Sequence, residues 1–95
     1  MRLSQSKAAF IKRAIKRHLG NASIYLFGSR AHDDQRGGDI DILIIGERQL
    51  NDHEKRDVII SFYKKFGEQK IDLVSYSETD EANLKHIALE NGIEL

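Results

Sequence analysis

The sequence predicts a small α+β domain with a mixed β-sheet flanked by helices, and three observations support that class. Segments with apolar residues at helical spacing alternate with short apolar strands in the order helix, strand, strand, helix, strand, helix. A short connection between the first two strands predicts an antiparallel pair, whereas a helix between the second and third strands predicts a parallel pair. A length of 95 residues is enough for one domain only, spanning residues 1–95.

The first helix is predicted from its apolar stripe, with Ser4 or Ser6 as N-cap and Gly20 as the stop signal. That stripe consists of Ala8, Ile11, Ile15 and Leu19. Two short strands follow, predicted over residues 23–27 and 39–45. The second of these is too apolar at its far end to be exposed on both faces, so we expect it to lie inside the sheet.

The rest of the chain is predicted as a helix over residues 51–66, a strand over 70–75, a helix over 79–91 and an extended tail over 93–95. Gly67 and Gly92 mark the ends of the two helices. Phe10 and Ile60 fall off their helical stripes. A widened core stripe or a harmless exposed side chain is the simpler interpretation, and a partner-binding patch is the alternative.

Composition excludes several classes of protein. The chain has no cysteine, which excludes disulfides, thiolate metal sites and a cysteine nucleophile. No apolar run approaches the roughly 18 residues of a membrane-spanning helix, and the N-terminal residues form no signal sequence. We therefore expect a cytoplasmic protein without membrane contact. Fifteen basic and fifteen acidic residues cancel, which argues against direct nucleic-acid binding.

Charge is unevenly distributed along the chain. Seven of the first thirty residues are Lys or Arg and none is acidic, whereas residues 76–95 contain five acidic residues and one lysine, Lys85. A basic N-terminal region suits an anionic ligand or an acidic partner. A solvated helix face is the alternative interpretation.

Three acidic residues interrupt the apolar strands. Asp39 and Asp41 open the second strand and lie on one face, about 7 Å apart along the chain. Asp72 interrupts the third strand, and the predicted topology brings it to the same end of the sheet, beside Gly28 and Ser29. Three carboxylates about 5 Å apart repel by about 3 kcal/mol per pair at an effective dielectric constant of about 20. We therefore expect a metal ion or protons to compensate them.

Oxygen ligands of this kind favour Mg²⁺ or Mn²⁺. Two metal ions bridged by Asp39 and Asp41 would suit in-line phosphoryl or nucleotidyl transfer. Gly28 permits close approach of a phosphate to the backbone, and Ser29 offers a hydroxyl and an N–H where anions bind. Arg30 is the nearest cation for a triphosphate.

Three segments carry a resemblance to a known family: Gly-Ser-Arg-Ala at 28–31, Gly-Asp-Ile-Asp-Ile-Leu at 38–43 and Ile-Asp-Leu at 71–73. They resemble the minimal nucleotidyltransferase family of the DNA polymerase beta superfamily, which implies a polymerase-beta-like nucleotidyltransferase fold. By this resemblance, Gly28 and Ser29 hold the phosphates of ATP, and Asp39 and Asp41 bind two Mg²⁺ ions. Asp72 completes a metal site and helps to activate the attacking hydroxyl. The chain departs from the family by a shorter connection before Asp39 and by His32-Asp33 in place of the common Arg-Gly.

The resemblance also implies a partner. Small members of the family are the antitoxin half of two-gene systems whose toxin is a helical nuclease of the HEPN type. There the nucleotidyltransferase transfers AMP from ATP to a tyrosine of the toxin. Two alternatives stay open: transfer to a small molecule, as in aminoglycoside nucleotidyltransferases, with a separate substrate-binding subunit, and an antitoxin that acts by binding alone. Because the predicted elements leave little chain to build an acceptor site, we expect the acceptor pocket to come from a partner or a second copy.

Overall fold

The computed structural model describes residues 3–27, 39–80, 86 and 90–95. These form α1 (Gln5–Lys16), β1 (Ala22–Phe27), β2 (Ile40–Gly46), α2 (Asp52–Phe66), β3 (Ile71–Ser77) and β4 (Ile93–Glu94). The predicted third helix lies mostly outside the described residues, although His86, Glu90 and Asn91 are helical. Among the described residues, no helix has the length and apolar character needed to cross a membrane.

The strands form one four-stranded sheet in the order β3-β2-β1-β4. β1 pairs with β2 in antiparallel register, β2 pairs with β3 in parallel register, and β4 pairs with β1 in antiparallel register. The predicted α+β class with a mixed sheet is therefore confirmed, as is the extended tail. The parallel pair results from α2, which returns the chain to the end of the sheet where β2 began.

The first helix starts where the sequence predicts and ends early. The hydroxyl of Ser4 caps it by accepting a hydrogen bond from the backbone N–H of Lys7 at 3.3 Å. At the other end, the N–H groups of His18 and Leu19 both donate to the carbonyl oxygen of Ile15, at 3.0 and 2.9 Å. The helix therefore closes in a tight turn after Lys16, and its predicted extension to Gly20 was wrong.

The second helix begins with a capping box. The side chain of Asn51 accepts from the N–H of Glu54 at 2.8 Å, and the carboxylate of Glu54 accepts from the N–H of Asn51 at 3.0 Å. The helix ends before Gly67, whose φ of 92° is a backbone conformation that glycine adopts without strain. Both ends lie within one residue of the prediction.

Both helices pack on the same face of the sheet and bury the main apolar core, which includes Ile24, Leu26, Ile42, Ile44, Val58 and Phe62. Phe10 extends this core, because its ring meets those of Phe62 and Phe66 edge-on, with centroids 6.1 and 5.5 Å apart. The widened-stripe interpretation of Phe10 is confirmed. Ile60, by contrast, is 44% exposed.

A polar network joins the end of α1 to the start of α2. Arg48 donates from both terminal nitrogens to the two carboxylate oxygens of Glu54, each at 2.8 Å, and also to the carbonyl oxygen of His18 at 3.2 Å. The His18 ring lies 2.9 Å from a carboxylate oxygen of Asp57 and 3.5 Å from Glu54. His18 is therefore a structural residue that ties the two helices together.

Candidate active site

Asp41 and the isoleucines on either side of it in β2 point to opposite faces of the sheet. Ile40, Ile42 and Ile44 point into the core beneath the helices and are fully buried. Asp41 points to the opposite face and is partly exposed. Asp39 immediately precedes the strand and belongs to the same face. Two of the three predicted carboxylates thus lie at the start of the strand, on the face that carries no described helix.

The parallel register places Asp72 beside Asp41. The two residues are paired across β2 and β3, on strands that in a sheet lie about 4.8 Å apart, and their carboxyl groups share a hydrogen bond. The predicted proximity of Asp41 and Asp72 is thus present in the structure.

Several causes raise the pKa of Asp41 above its ordinary value of 3.8. Burial is the largest cause, followed by the negative charges of Asp72 and Asp39 and by the hydrogen bond to Asp72. The positive charge of Lys70 opposes them. The sheet face of Asp39, Asp41 and Asp72 therefore carries negative charge, and Lys70 offsets only part of it. Such a face suits a bound cation.

Lys70 is a site residue that the sequence analysis missed. Its Nζ lies 3.5 Å from Oδ2 of Asp39, and both side chains are exposed to solvent. The register explains the contact, because Ile40 is paired with Ile71 and the residues that precede them therefore lie side by side. The N–H of Ile40 also donates to the carbonyl oxygen of Lys70 at 3.0 Å. Only the strand register could have revealed this residue.

The three carboxylates do not form a ready-made metal cage. As the side chains stand, no three His, Cys, Asp or Glu residues of the described segments are grouped closely enough to hold a metal ion. Asp41 and Asp72 contact each other, whereas Asp39 lies beside Lys70. The donor set nevertheless has the chemistry of a Mg²⁺ or Mn²⁺ site, since all its donors are carboxylate oxygens. Metal binding stays a prediction.

The predicted phosphate-binding residues Gly28, Ser29 and Arg30 lie outside the described residues, as does His32. Their neighbour Phe27 is the last residue of β1 and is paired with Asp41 in the sheet. The chain therefore leaves the sheet next to the carboxylates, where the prediction requires a phosphate-binding segment to begin.

An apolar cluster continues along the same face, away from the carboxylates. Leu43 and Ile45 are buried there and pack with the partly buried rings of Tyr25, Phe27 and Tyr76. Such a surface lowers the local dielectric constant beside the acidic residues and strengthens their electrostatic interactions. The sequence analysis did not single out these aromatic residues, although alternation along each strand places them on the carboxylate face.

Several solved structures share this fold. A chain from the crystal structure of the toxin–antitoxin MntA-HpeT, in a mutant form, gives a TM-score of 0.71 at 21% sequence identity, covering 98% of this chain and 72% of that chain. A chain from a toxin–antitoxin structure with AMP-PNP gives 0.71 at 21% identity, covering 97% and 72%. A third structure is the tri-AMPylated Shewanella oneidensis HEPN toxin in complex with MNT antitoxin, at a TM-score of 0.68, 19% identity and coverages of 97% and 71%. At these identities the likeness establishes the fold.

The family follows from the sequence match. None of the curated protein sequences compared with the chain matches it. Residues 10–95, however, match the family described as "Polymerase beta, Nucleotidyltransferase". The match includes all four strands and the three acidic residues of the candidate site. The chain therefore belongs to the polymerase beta nucleotidyltransferase family.

Proposed function

We propose that this nucleotidyltransferase transfers AMP from ATP, in the presence of Mg²⁺, to a tyrosine hydroxyl of a partner protein of the HEPN toxin type. The observation that carries the proposal is the pairing of Asp41 with Asp72 on one sheet face, next to Asp39. Support for the acceptor comes from a protein of the same fold, which was solved as an MNT antitoxin in complex with a tri-AMPylated HEPN toxin.

Asp39, Asp41 and Asp72 are the residues that would hold the metal. When bound, Mg²⁺ supplies positive charge that neutralises phosphate oxygens and stabilises the charge of the leaving group. In the structure Asp41 lies beside Asp72, and Asp39 forms an exposed ion pair with Lys70. A divalent cation bound there would replace the positive charge that Lys70 brings to Asp39 in the structure.

Asp72 is the best placed proton acceptor, because it is exposed and lies on the face of the two other carboxylates. In the transfer, the tyrosine oxygen forms a bond to the α-phosphorus of ATP, and the bond between the α- and β-phosphates breaks. Pyrophosphate leaves, and the proton of the hydroxyl passes to a carboxylate oxygen of Asp72. The role of Gly28 and Ser29 is to hold the triphosphate in line for this displacement.

The test is a transfer assay with the protein encoded by the adjacent gene. Wild-type chain, ATP and Mg²⁺ should increase the mass of the partner by one or more AMP units, read by mass spectrometry. Asp72→Asn should lower the rate by about 100-fold or more, the usual scale of a lost general base, with little change in nucleotide affinity. Asp52→Asn is a matched control, since it makes the same change at an exposed position at the start of α2.

Three other results would contradict the proposed transfer to a partner protein or the proposed role of Asp72. If the partner is bound and inhibited without a change of mass, and Asp72→Asn inhibits equally well, the chain acts as a binding-only antitoxin. If AMP is transferred to an added aminoglycoside instead, the acceptor is a small molecule. If Asp72→Asn transfers AMP as fast as Asp52→Asn, Asp72 is not the proton acceptor.

A further inference from the structure

The basic residues of the N-terminal helix line a groove at the junction of α1 and α2, with a volume of about 620 Å³. Phe10 and Ala14 supply its apolar lining. Its basic side chains are Lys12, Arg13 and Lys16 from the first helix, Arg17 from the C-cap of that helix, and Lys65 from the second helix. Among the residues that the structure describes, no acidic side chain contributes to the lining, so the groove is both apolar and strongly positive.

The positive charge of the groove is not neutralised within the described part of the chain. The close contacts there between basic side chains and carboxylates involve His18, Arg48 and Lys70, and none involves a basic residue of the groove. No acidic residue occurs in α1 at all. Lys65 lies over the rings of Phe10 and Phe66 instead, with its Nζ 5.5 and 5.7 Å from their centroids. Five cations thus face one groove without an acidic counterpart.

The spacing of these cations suits a helical ligand. Lys12 and Lys16 are four residues apart on α1, and Arg13 is four residues before Arg17, the C-cap residue of the helix, so they form two short rows along the groove. Glutamates at the same spacing on an opposing helix can pair with such rows. The aliphatic stems of the lysines and arginines, together with Phe10, offer an apolar contact between them.

We propose that the groove docks an acidic amphipathic helix of a protein partner. Net charge favours this occupant over RNA, because the chain's 15 basic and 15 acidic residues leave it with a formal charge of zero. The groove lies in the helical layer, and the helices cover the sheet face opposite to Asp41. A partner docked there leaves the carboxylate face open, so docking does not depend on the transfer reaction.

The test uses a fluorescein-labelled helical peptide with glutamates along one face and leucines beside them. We expect it to bind the wild-type chain at least about tenfold more tightly than the triple variant Arg13→Gln, Lys16→Gln and Arg17→Gln, read by fluorescence anisotropy at low ionic strength. Glutamine removes the charge without placing negative charge at the C-terminal end of α1. A scrambled peptide of the same composition should bind several-fold more weakly, because it cannot present both faces.

The matched control removes three charges elsewhere, through Lys55→Gln, Arg56→Gln and Lys64→Gln on α2, and should bind the peptide like wild type. Circular dichroism of both variants verifies that each is folded. Asp41→Asn should also bind like wild type, which separates docking from the proposed transfer. If the two triple variants lose binding equally, or if the scrambled peptide binds as well, the groove is not a helix-docking site.

Two further results would overturn the proposal in favour of another occupant. A single-stranded RNA oligonucleotide that binds more tightly than the peptide, and is lost in the groove variant alone, would assign the groove to nucleic acid. Dimerisation of the wild-type chain in sedimentation experiments, abolished in the groove variant and accompanied by no peptide binding, would assign it to a second copy of the chain.

Discussion

Lys70 and Asp39 stand at equivalent positions, each one residue ahead of one of two neighbouring parallel strands, and this brings Nζ within 3.5 Å of Oδ2. The pair is exposed, so its contribution to the free energy of unfolding is about 1 kcal/mol or less. Its larger effect is on ligands, because a positive charge beside the carboxylates opposes the binding of a second cation. Lys70 thus supplies beside Asp39 part of the positive charge that a bound metal ion would otherwise supply.

Replacing Lys70 by methionine should therefore strengthen metal binding in the absence of nucleotide. We expect the affinity for Mn²⁺ to rise by a factor of about 2–5, the scale of one exposed charge interaction, in isothermal titration calorimetry. Lys55→Met, on α2, is the control and should leave the affinity unchanged. A weaker affinity in Lys70→Met would show that Lys70 orients Asp39 for the metal and does not compete with it.

Asp41→Asn should leave the metal-free protein at least as stable as wild type. The pKa of Asp41 is raised above 3.8, so its ionised form costs stability at neutral pH, and the cost disappears as the pH falls below that value. The gain is about 1 kcal/mol or less, since the carboxyl groups are partly exposed. Urea denaturation with and without Mn²⁺ measures it, and only wild type should be stabilised by the ion. A marked loss of stability without metal would mean that Asp41 is a structural residue.

Glu54→Gln should destabilise the fold at neutral pH and have less effect in acid. Arg48 and the N–H of Asn51 lower the pKa of Glu54 from 4.5 to about 2. The stability that this carboxylate contributes is therefore complete above about pH 4.5 and is lost as the pH falls towards 2. Thermal unfolding between pH 3 and 7 should show the two proteins converging at the acid end. Asp52→Asn, in the same turn of α2, should show a smaller difference across the whole range.

A pair of isoleucine substitutions tests the assignment of the core. Ile44 is fully buried beneath the helices, and Ile60 is 44% exposed. Ile44→Val should cost about 0.5–1.5 kcal/mol, because it removes a methylene group from a packed interior. Ile60→Val should stay within about 0.5 kcal/mol of wild type. Equal losses in guanidinium denaturation would show that the exposed face of α2 is covered in solution.

The architecture could be predicted because local signals and topology agree. Apolar spacing and caps placed both described helices, and the crossover through α2 implied a parallel pair that sets Asp72 beside Asp41. The end of α1 was misplaced because Leu19 continues the apolar stripe and is buried, although it lies beyond the helix. Apolar residues at helical spacing indicate which side chains are buried, but a buried side chain such as Leu19 can lie beyond the end of the helix.

Lys70 and Arg48 were missed because their contacts depend on the reach of long side chains. Lys70 needs the exact register of two strands to meet Asp39. Arg48 lies after β2 in a short connection and reaches Glu54 six residues later in the chain. Neither position has a periodic signal, since long side chains in connections leave no pattern in the sequence. Such contacts become visible only when the backbone is in place.

The distance between Asp41 and Asp72 is set by a ladder of backbone hydrogen bonds between β2 and β3 and involves no loop. Insertions or deletions between Phe27 and Asp39 should therefore leave the spacing of this pair unchanged. A designer could therefore vary the length of that connection, outside the proposed phosphate-binding residues Gly28 and Ser29, while keeping the two carboxylates in register.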